Sequence, residues 1–178
     1  MDLAPLLAAG VPLLGWTTHG TWLARRLAIS RRDPLTGLLT RDGFTTRAER
    51  LIRKHPDRIT VLLVDVDDFK AVNDTHGHSI GDAVLATTAG RLTRWCGSAG
   101  LVARLGGDEF AVVVLDAADR VDQLRTALTA PVPFGQQLIS VSASVGASHS
   151  AALLLTDALS AADRDMYAHK PGARTSRR

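Results

Sequence analysis

The chain reads as an α+β domain with a central, mainly antiparallel sheet flanked by helices, and three observations predict this. The run Ile59-Thr60-Val61-Leu62-Leu63-Val64 is apolar apart from one threonine and rich in β-formers, as a central strand covered on both faces requires. Two shorter apolar runs, Leu101-Val102-Ala103 and Phe110 to Leu115, flank a Gly-Gly turn and read as a hairpin. Around them lie segments whose apolar residues recur near the helical period. The order that emerges is α, β, α, α, β, β, α, β, α, which suggests helices gathered on one side of the sheet.

Arg41 to Lys54 is predicted helical, with Phe44, Ala48, Leu51 and Ile52 on one side, and the strand Ile59 to Val66 follows. Phe69 to Thr75 is predicted as a short helix. A longer one from Ile80 to about Trp95 carries Ile80, Val84, Leu85, Ala89 and Leu92, with Cys96 continuing the stripe. The hairpin comes next, then a helix near Ala118 to Thr129 carrying Val121, Leu124 and Leu128. Pro131 and Pro133 break it. Leu138 to Ala147 alternates like one strand, and Asp157 to His169 is helical through Leu159, Ala162 and Met166.

Composition bounds the answer. With 178 residues, 46% hydrophobic and 22% charged, the chain holds one packed domain of about 140 residues and a short extension. A single cysteine, Cys96, excludes an internal disulfide and fits a reducing compartment. Of the six histidines only His76 and His78 lie close together, and without a cysteine nearby they make no zinc pattern. The net charge of +3 suits a phosphate-rich ligand or an anionic surface. Lys and Arg are not interleaved with aromatics, so nucleic acid is not an expected partner.

The chemistry concentrates at two places. Gly106-Gly107-Asp108-Glu109 puts adjacent carboxylates on the hairpin turn, where a hard cation beside a phosphate would relieve their repulsion and the glycines would admit backbone amides to the anion. A solvated turn is the bland alternative. Forty residues upstream the central strand ends in Asp65-Val66-Asp67-Asp68, and the period of two puts Asp65 and Asp67 on one side with the Val66 carbonyl between them. These oxygens form a candidate Mg²⁺ cage, or simply a polar strand end.

These stretches resemble the GGDEF domain, the diguanylate cyclase family, and the resemblance covers about residues 33 to 174. Asp33-Pro34-Leu35-Thr36-Gly37-Leu38 resembles the family's opening, and Asp65 to Lys70 its first metal strand. Asn73-Asp74, Gly77-His78 and Gly81-Asp82 resemble its nucleotide-binding segment, with Arg104-Leu105 leading into the signature. Ser144-Val145-Gly146, Ala162-Asp163 and Met166-Tyr167 resemble the closing strand and helix. The resemblance implies a ferredoxin-like, polymerase-palm core, with domain limits at 33–174 between an N-terminal segment, 1–32, and a basic tail, 175–178.

It also implies a bacterial second-messenger reaction: condensation of two GTP into cyclic di-GMP plus two pyrophosphates, at a homodimer interface and with two Mg²⁺, for which Mn²⁺ is a candidate substitute. By family position the metal ligands are Asp65, the Val66 carbonyl and Asp108, with Glu109 either a ligand or the general base. Phe69, Lys70, Gly106 and Gly107 fall in the substrate-binding segments. Guanine offers two neighbouring donors that one carboxylate can accept, and Asn73 and Asp82 hold that position. Ser79 to Asp82 also fits a capping box, and Asn73 also fits a turn. A non-catalytic receptor module and a mixed-dinucleotide synthase are the rival functions.

Several departures stand out. Lys170 and Arg174 match two triphosphate-contacting basic residues, but Pro171-Gly172-Ala173 between them displaces the usual glycine and ends the helix near Lys170. Thr40 replaces a common asparagine, which is expected to loosen a local turn. Gly97-Ser98-Ala99-Gly100 stands where many relatives carry an Arg-x-x-Asp product site, so feedback inhibition is expected to be absent.

Residues 3–24 contain no charged side chain, and Trp16, Trp22 and four arginines, Arg25, Arg26, Arg31 and Arg32, lie near or beyond their end. A membrane anchor with a cytoplasmic catalytic domain, a dimerising helix and a flexible leader are the alternatives. Pro5, Pro12 and three glycines weaken the span.

Overall fold

A computed structural model describes residues 31–149 and 154–169. The elements are β1 (Leu39–Thr40), α1 (Arg41–Lys54), β2 (Ile59–Val66), α2 (Phe69–His76), α3 (His78–Cys96), β3 (Gly100–Gly106), β4 (Glu109–Leu115), α4 (Val121–Leu128), β5 (Val132–Phe134), β6 (Gln137–Ile139), β7 (Ala143–Ser148) and α5 (Leu155–His169). Five strands form one sheet in the order β1-β3-β4-β2-β7, and β5 pairs with β6 in a separate ribbon. β4 runs antiparallel to both β2 and β3, and β7 antiparallel to β2; only the short β1 is parallel to its neighbour β3. Thus β2 and β3 are parallel with β4 between them, linked through α2 and α3. β4 and β7 are parallel with β2 between them, linked through α4. These two interleaved split βαβ units are the ferredoxin-like arrangement.

Helices cover both faces of the sheet, where the order of elements suggested one. The reason lies in the unbroken apolar run of β2, whose alternate side chains serve two cores. Leu62, Val64 and Val66, with Val112 and Val114 of β4, pack against α3 and α4 through residues such as Val84, Leu85 and Leu124. On the opposite face Val61, Ala111 and Val113 meet Phe44 and Ala48 of α1 and Ala158 of α5. Each buried Leu, Val or Phe contributes about 1.5–3 kcal/mol relative to exposure, so β2 is held from both sides. At β7 the fit is closest: a Cβ on Gly146 would strike the Ala162 carbonyl and come within 2.5 Å of the Met166 nitrogen, so the α5 backbone rests directly on the strand.

Three local expectations change. The stretch 138–147 is not one strand: β6 ends at Ile139, and residues 140–142 belong to no strand before the chain enters the main sheet as β7. Its first part pairs instead with Val132-Pro133-Phe134, across a turn at Gly135 with φ +59°. A two-stranded ribbon tolerates Pro133 because both its strands are edges. Thr40 caps α1 by accepting from the Gly43 N–H at 3.4 Å, so it serves the turn that an asparagine would. Third, α3 starts at His78 rather than Ile80, entered through Gly77 at φ +84° without a side-chain cap.

Among the described residues no helix is long and apolar enough to cross a membrane. The segment 3–24, Lys170, Arg174 and the tail 175–178 lie outside the described residues.

Candidate active site

The sheet register brings the two acidic segments together. At the end of β2, Asp65 is the direct cross-strand partner of Glu109, the first residue of β4. One residue further, the Val66 N–H donates to the Asp108 carbonyl at 3.3 Å. Directly opposed residues project to the same face, so the Asp65 and Glu109 side chains leave the sheet together. That face is the one covered by α1 and α5, because Val61 and Leu63 share it with Asp65. Asp65 and Asp108 are half-buried and Glu109 is exposed.

The turn that carries Asp108 is shaped by its glycines. Gly106 has φ +158° and Gly107 φ +50°, and the β3–β4 register slips between Arg104 and Gly106. A bulge of this kind re-aims the side chains that follow it. Arg104 fixes the turn from below, donating from Nε at 2.9 Å and Nη2 at 2.7 Å to the Gly107 carbonyl. The remaining arm of Arg104 meets Asp33 at 3.2 Å, and Asp33 in turn accepts from the Thr36 N–H at 2.8 Å and the Thr36 hydroxyl at 2.6 Å. Burial pushes the Asp33 carboxyl up. The Thr36 side chain, the Thr36 backbone and Arg104 together outweigh it and hold the group below its ordinary range. This support is not apparent from the sequence pattern. The signal was present in the Asp33-x-x-Thr36 spacing, which fits a side-chain-closed turn, but its link to Arg104 spans 71 positions.

Beyond β2 the chain turns into α2 through Asp68, a non-glycine residue at φ +51°. Its side chain does not cap α2, so the first amides of that helix, from Phe69 and Lys70 onward, have no capping side-chain acceptor. Lys70 is exposed and Phe69 half-buried. Asp67 is tied to β7: it accepts from the Ser144 hydroxyl at 2.6 Å and donates its N–H to the Ser142 carbonyl at 3.0 Å.

Asn73 packs against α3 at Gly81, the residue before Asp82. A Cβ on Gly81 would overlap the Asn73 amide oxygen and come within 3.0 Å of its Cγ and 3.2 Å of the Phe69 ring. The missing side chain therefore makes room for Asn73 against the first turns of α3, one residue from Asp82. Asn73 lies inside α2, not in a turn. Ser79 lies inside α3, so the capping box is not formed and Asp82 is an exposed carboxylate with no partner among the described residues.

The oxygens at the corner, two half-buried carboxylates, one exposed carboxylate and a backbone carbonyl, suit a hard divalent cation and offer nothing to a soft one. Among the described residues no three His, Cys, Asp or Glu side chains gather into a complete metal cage. Mg²⁺ fits such a partial shell, because it is commonly held by one or two carboxylates with phosphate and water completing the octahedron.

The fold and the corner define a ferredoxin-like domain with an acidic, oxygen-only site at the end of its central strands. The family described as "Diguanylate cyclase, GGDEF domain" matches residues 30–176, and the chain belongs to it. An uncharacterized 19.3 kDa protein of the repSA 5′ region in Streptomyces ambofaciens is 54% identical over 173 residues, covering 94% of this chain and 93% of that one. Diguanylate cyclase TpbB of Pseudomonas aeruginosa is 38% identical over 165 residues, 84% of this chain but 37% of TpbB, so the chain spans well under half of that enzyme. A solved sensory box/GGDEF family protein from Caulobacter crescentus CB15 shares 36% identity at a TM-score of 0.68, covering 78% of this chain and 99% of that one.

Proposed function

We propose that this chain is a diguanylate cyclase, condensing two GTP into cyclic di-GMP with release of two pyrophosphates. The observation that carries the reading is the pairing of Asp65 with Glu109, reinforced by the Val66 N–H bond to Asp108. Degenerate relatives that serve only as receptors are expected to lose acids at this corner, and here all three remain.

Asp65, the Val66 carbonyl and Asp108 hold the metal in this scheme, with Glu109 either completing the shell or taking the proton from the attacking 3′-hydroxyl. When bound, Mg²⁺ supplies charge neutralisation on the phosphates and acidifies the attacking hydroxyl; Mn²⁺ is expected to substitute. Phe69 and Lys70 present the uncapped amides of α2 to the triphosphate, as helix N-termini do for anions. Gly106 and Gly107 let the signature turn approach it. Asn73 and Asp82 read the guanine edge, the carboxylate accepting from N1–H and the 2-amino group, which adenine cannot supply together. Lys170 and Arg174 add charge at the triphosphate.

One domain carries one set of these groups, so two copies facing each other each present a nucleotide to the other. A GTP substrate and a single cysteine fit a cytoplasmic domain. Incubation with labelled GTP, ATP or both in the presence of Mg²⁺ tests the reading. It expects cyclic di-GMP from GTP alone. A mixed dinucleotide would demote strict GTP use, and bound GTP without product would make the chain a receptor.

A further inference from the structure

We infer that Arg41 is a phosphate-binding residue of this site, exchanging Glu109 for a phosphate oxygen when the metal–nucleotide arrives. This rests on the reading of the acidic corner as a metal–nucleotide site. Arg41 is the first residue of α1, where the helix presents its positive end and a cation is disfavoured. A charge placed against the local preference marks a position where something other than helix stability decides.

The surroundings of Arg41 point the same way. Its Nη2 lies 4.0 Å from Glu109 Oε2, with both side chains about half exposed. At that distance the pair is an electrostatic contact without a hydrogen bond. Among the described residues the guanidinium makes no hydrogen bond, so all its donors remain available. Arg41 also lines an open cavity of about 430 Å³ with Thr40, Asp42, Arg104, Gly106 and Gly107, directly beside the signature turn. Arg104 in that cavity is committed to Asp33 and the Gly107 carbonyl, so among the described residues lining it Arg41 is the cation able to turn. A divalent cation and a triphosphate enter as one unit of mixed charge. With that unit bound, a phosphate oxygen would accept from Arg41 in place of Glu109, whose carboxylate would be freed either to join the metal shell or to serve as base. Asp42 lies next to Arg41 in sequence but is exposed and keeps its solvation.

The test is calorimetric binding of a non-hydrolysable GTP analogue with Mg²⁺, and of guanosine, to the full chain as wild type, Arg41→Ala and Arg41→Lys. A charge-assisted contact to phosphate predicts a loss of about tenfold or more for the triphosphate in Arg41→Ala. Arg41→Lys is expected to recover part of it, since lysine binds phosphate as a point charge. Guanosine binding is expected to stay unchanged. Equal triphosphate affinity in wild type and Arg41→Ala would overturn the inference and leave the proposed function standing. An equal loss of guanosine and triphosphate would reduce Arg41 to a structural residue. Failure of the wild type to bind the Mg²⁺–triphosphate would sink the metal–nucleotide reading and this inference with it.

Discussion

Gly81→Ala separates base recognition from folding. The added methyl would occupy the space now filled by the Asn73 amide oxygen and crowd the Phe69 ring at 3.2 Å. Both obstacles are ends of side chains, so they move while the helix backbone stays. Gly81 is buried inside α3, where alanine is favoured over glycine by about 1 kcal/mol in helix propensity. Thermal stability is therefore expected at or above that of the wild type. In the proposed site the displaced amide would, by contrast, lose up to two hydrogen bonds to the base. At about 1 kcal/mol each this is roughly thirtyfold in GTP affinity. The assay compares dissociation constants for non-hydrolysable GTP and ATP analogues in both proteins. The expected signature is a fall in GTP affinity with ATP affinity unchanged. An intact preference for GTP in a folded Gly81→Ala protein would refute the placement of Asn73 at the base.

Other perturbations bear on the supports of the site. Asp33→Asn removes the anion that holds Arg104 and is expected to cost about 1–3 kcal/mol at neutral pH, measured by denaturant unfolding. Because the folded-state carboxyl is held below its ordinary value, the stability it gives is present above about pH 4 and lost as pH falls through the folded value. The gap between wild type and Asp33→Asn should narrow there, and a gap independent of pH would count against the ion pair. Gly146→Ala forces a methyl against the α5 backbone at Ala162 and Met166, so a loss of about 3 kcal/mol or more is expected; near-wild-type melting would show that α5 can retreat freely. Added cyclic di-GMP is expected to compete with GTP only, since Gly97 to Gly100 offer no guanidinium or carboxylate. Strong noncompetitive inhibition would contradict that.

Much of this molecule was legible where chemistry interrupts pattern. The acids at Asp65 and at Asp108-Glu109 stand at the ends of apolar runs, and the register joins them. Helix α1 and strand β2 follow their periodicities to the residue, because their apolar faces are long and unbroken. The β5–β6 ribbon was not legible. Leu138 to Ala147 alternates throughout, and nothing local reveals that Ile139 serves the ribbon while Val145 serves the sheet. The side on which each helix lies is likewise a tertiary property, set by which face of β2 each crossover reaches. Ser79-x-x-Asp82 matched a capping pattern that the chain does not use, since Gly77 reaches a positive φ and starts α3 before Ser79. The Asp33–Arg104 bridge went unread because a turn signal says nothing about a partner 71 residues away.

The central claim is that carboxylates from two distant segments meet around one metal–nucleotide. Chromatographic identification of the product from GTP and Mg²⁺, with wild type and Asp108→Ala assayed side by side, tests it most directly. Cyclic di-GMP is expected from the wild type, with a loss of at least about a hundredfold in the variant. Equal product from both proteins would contradict it.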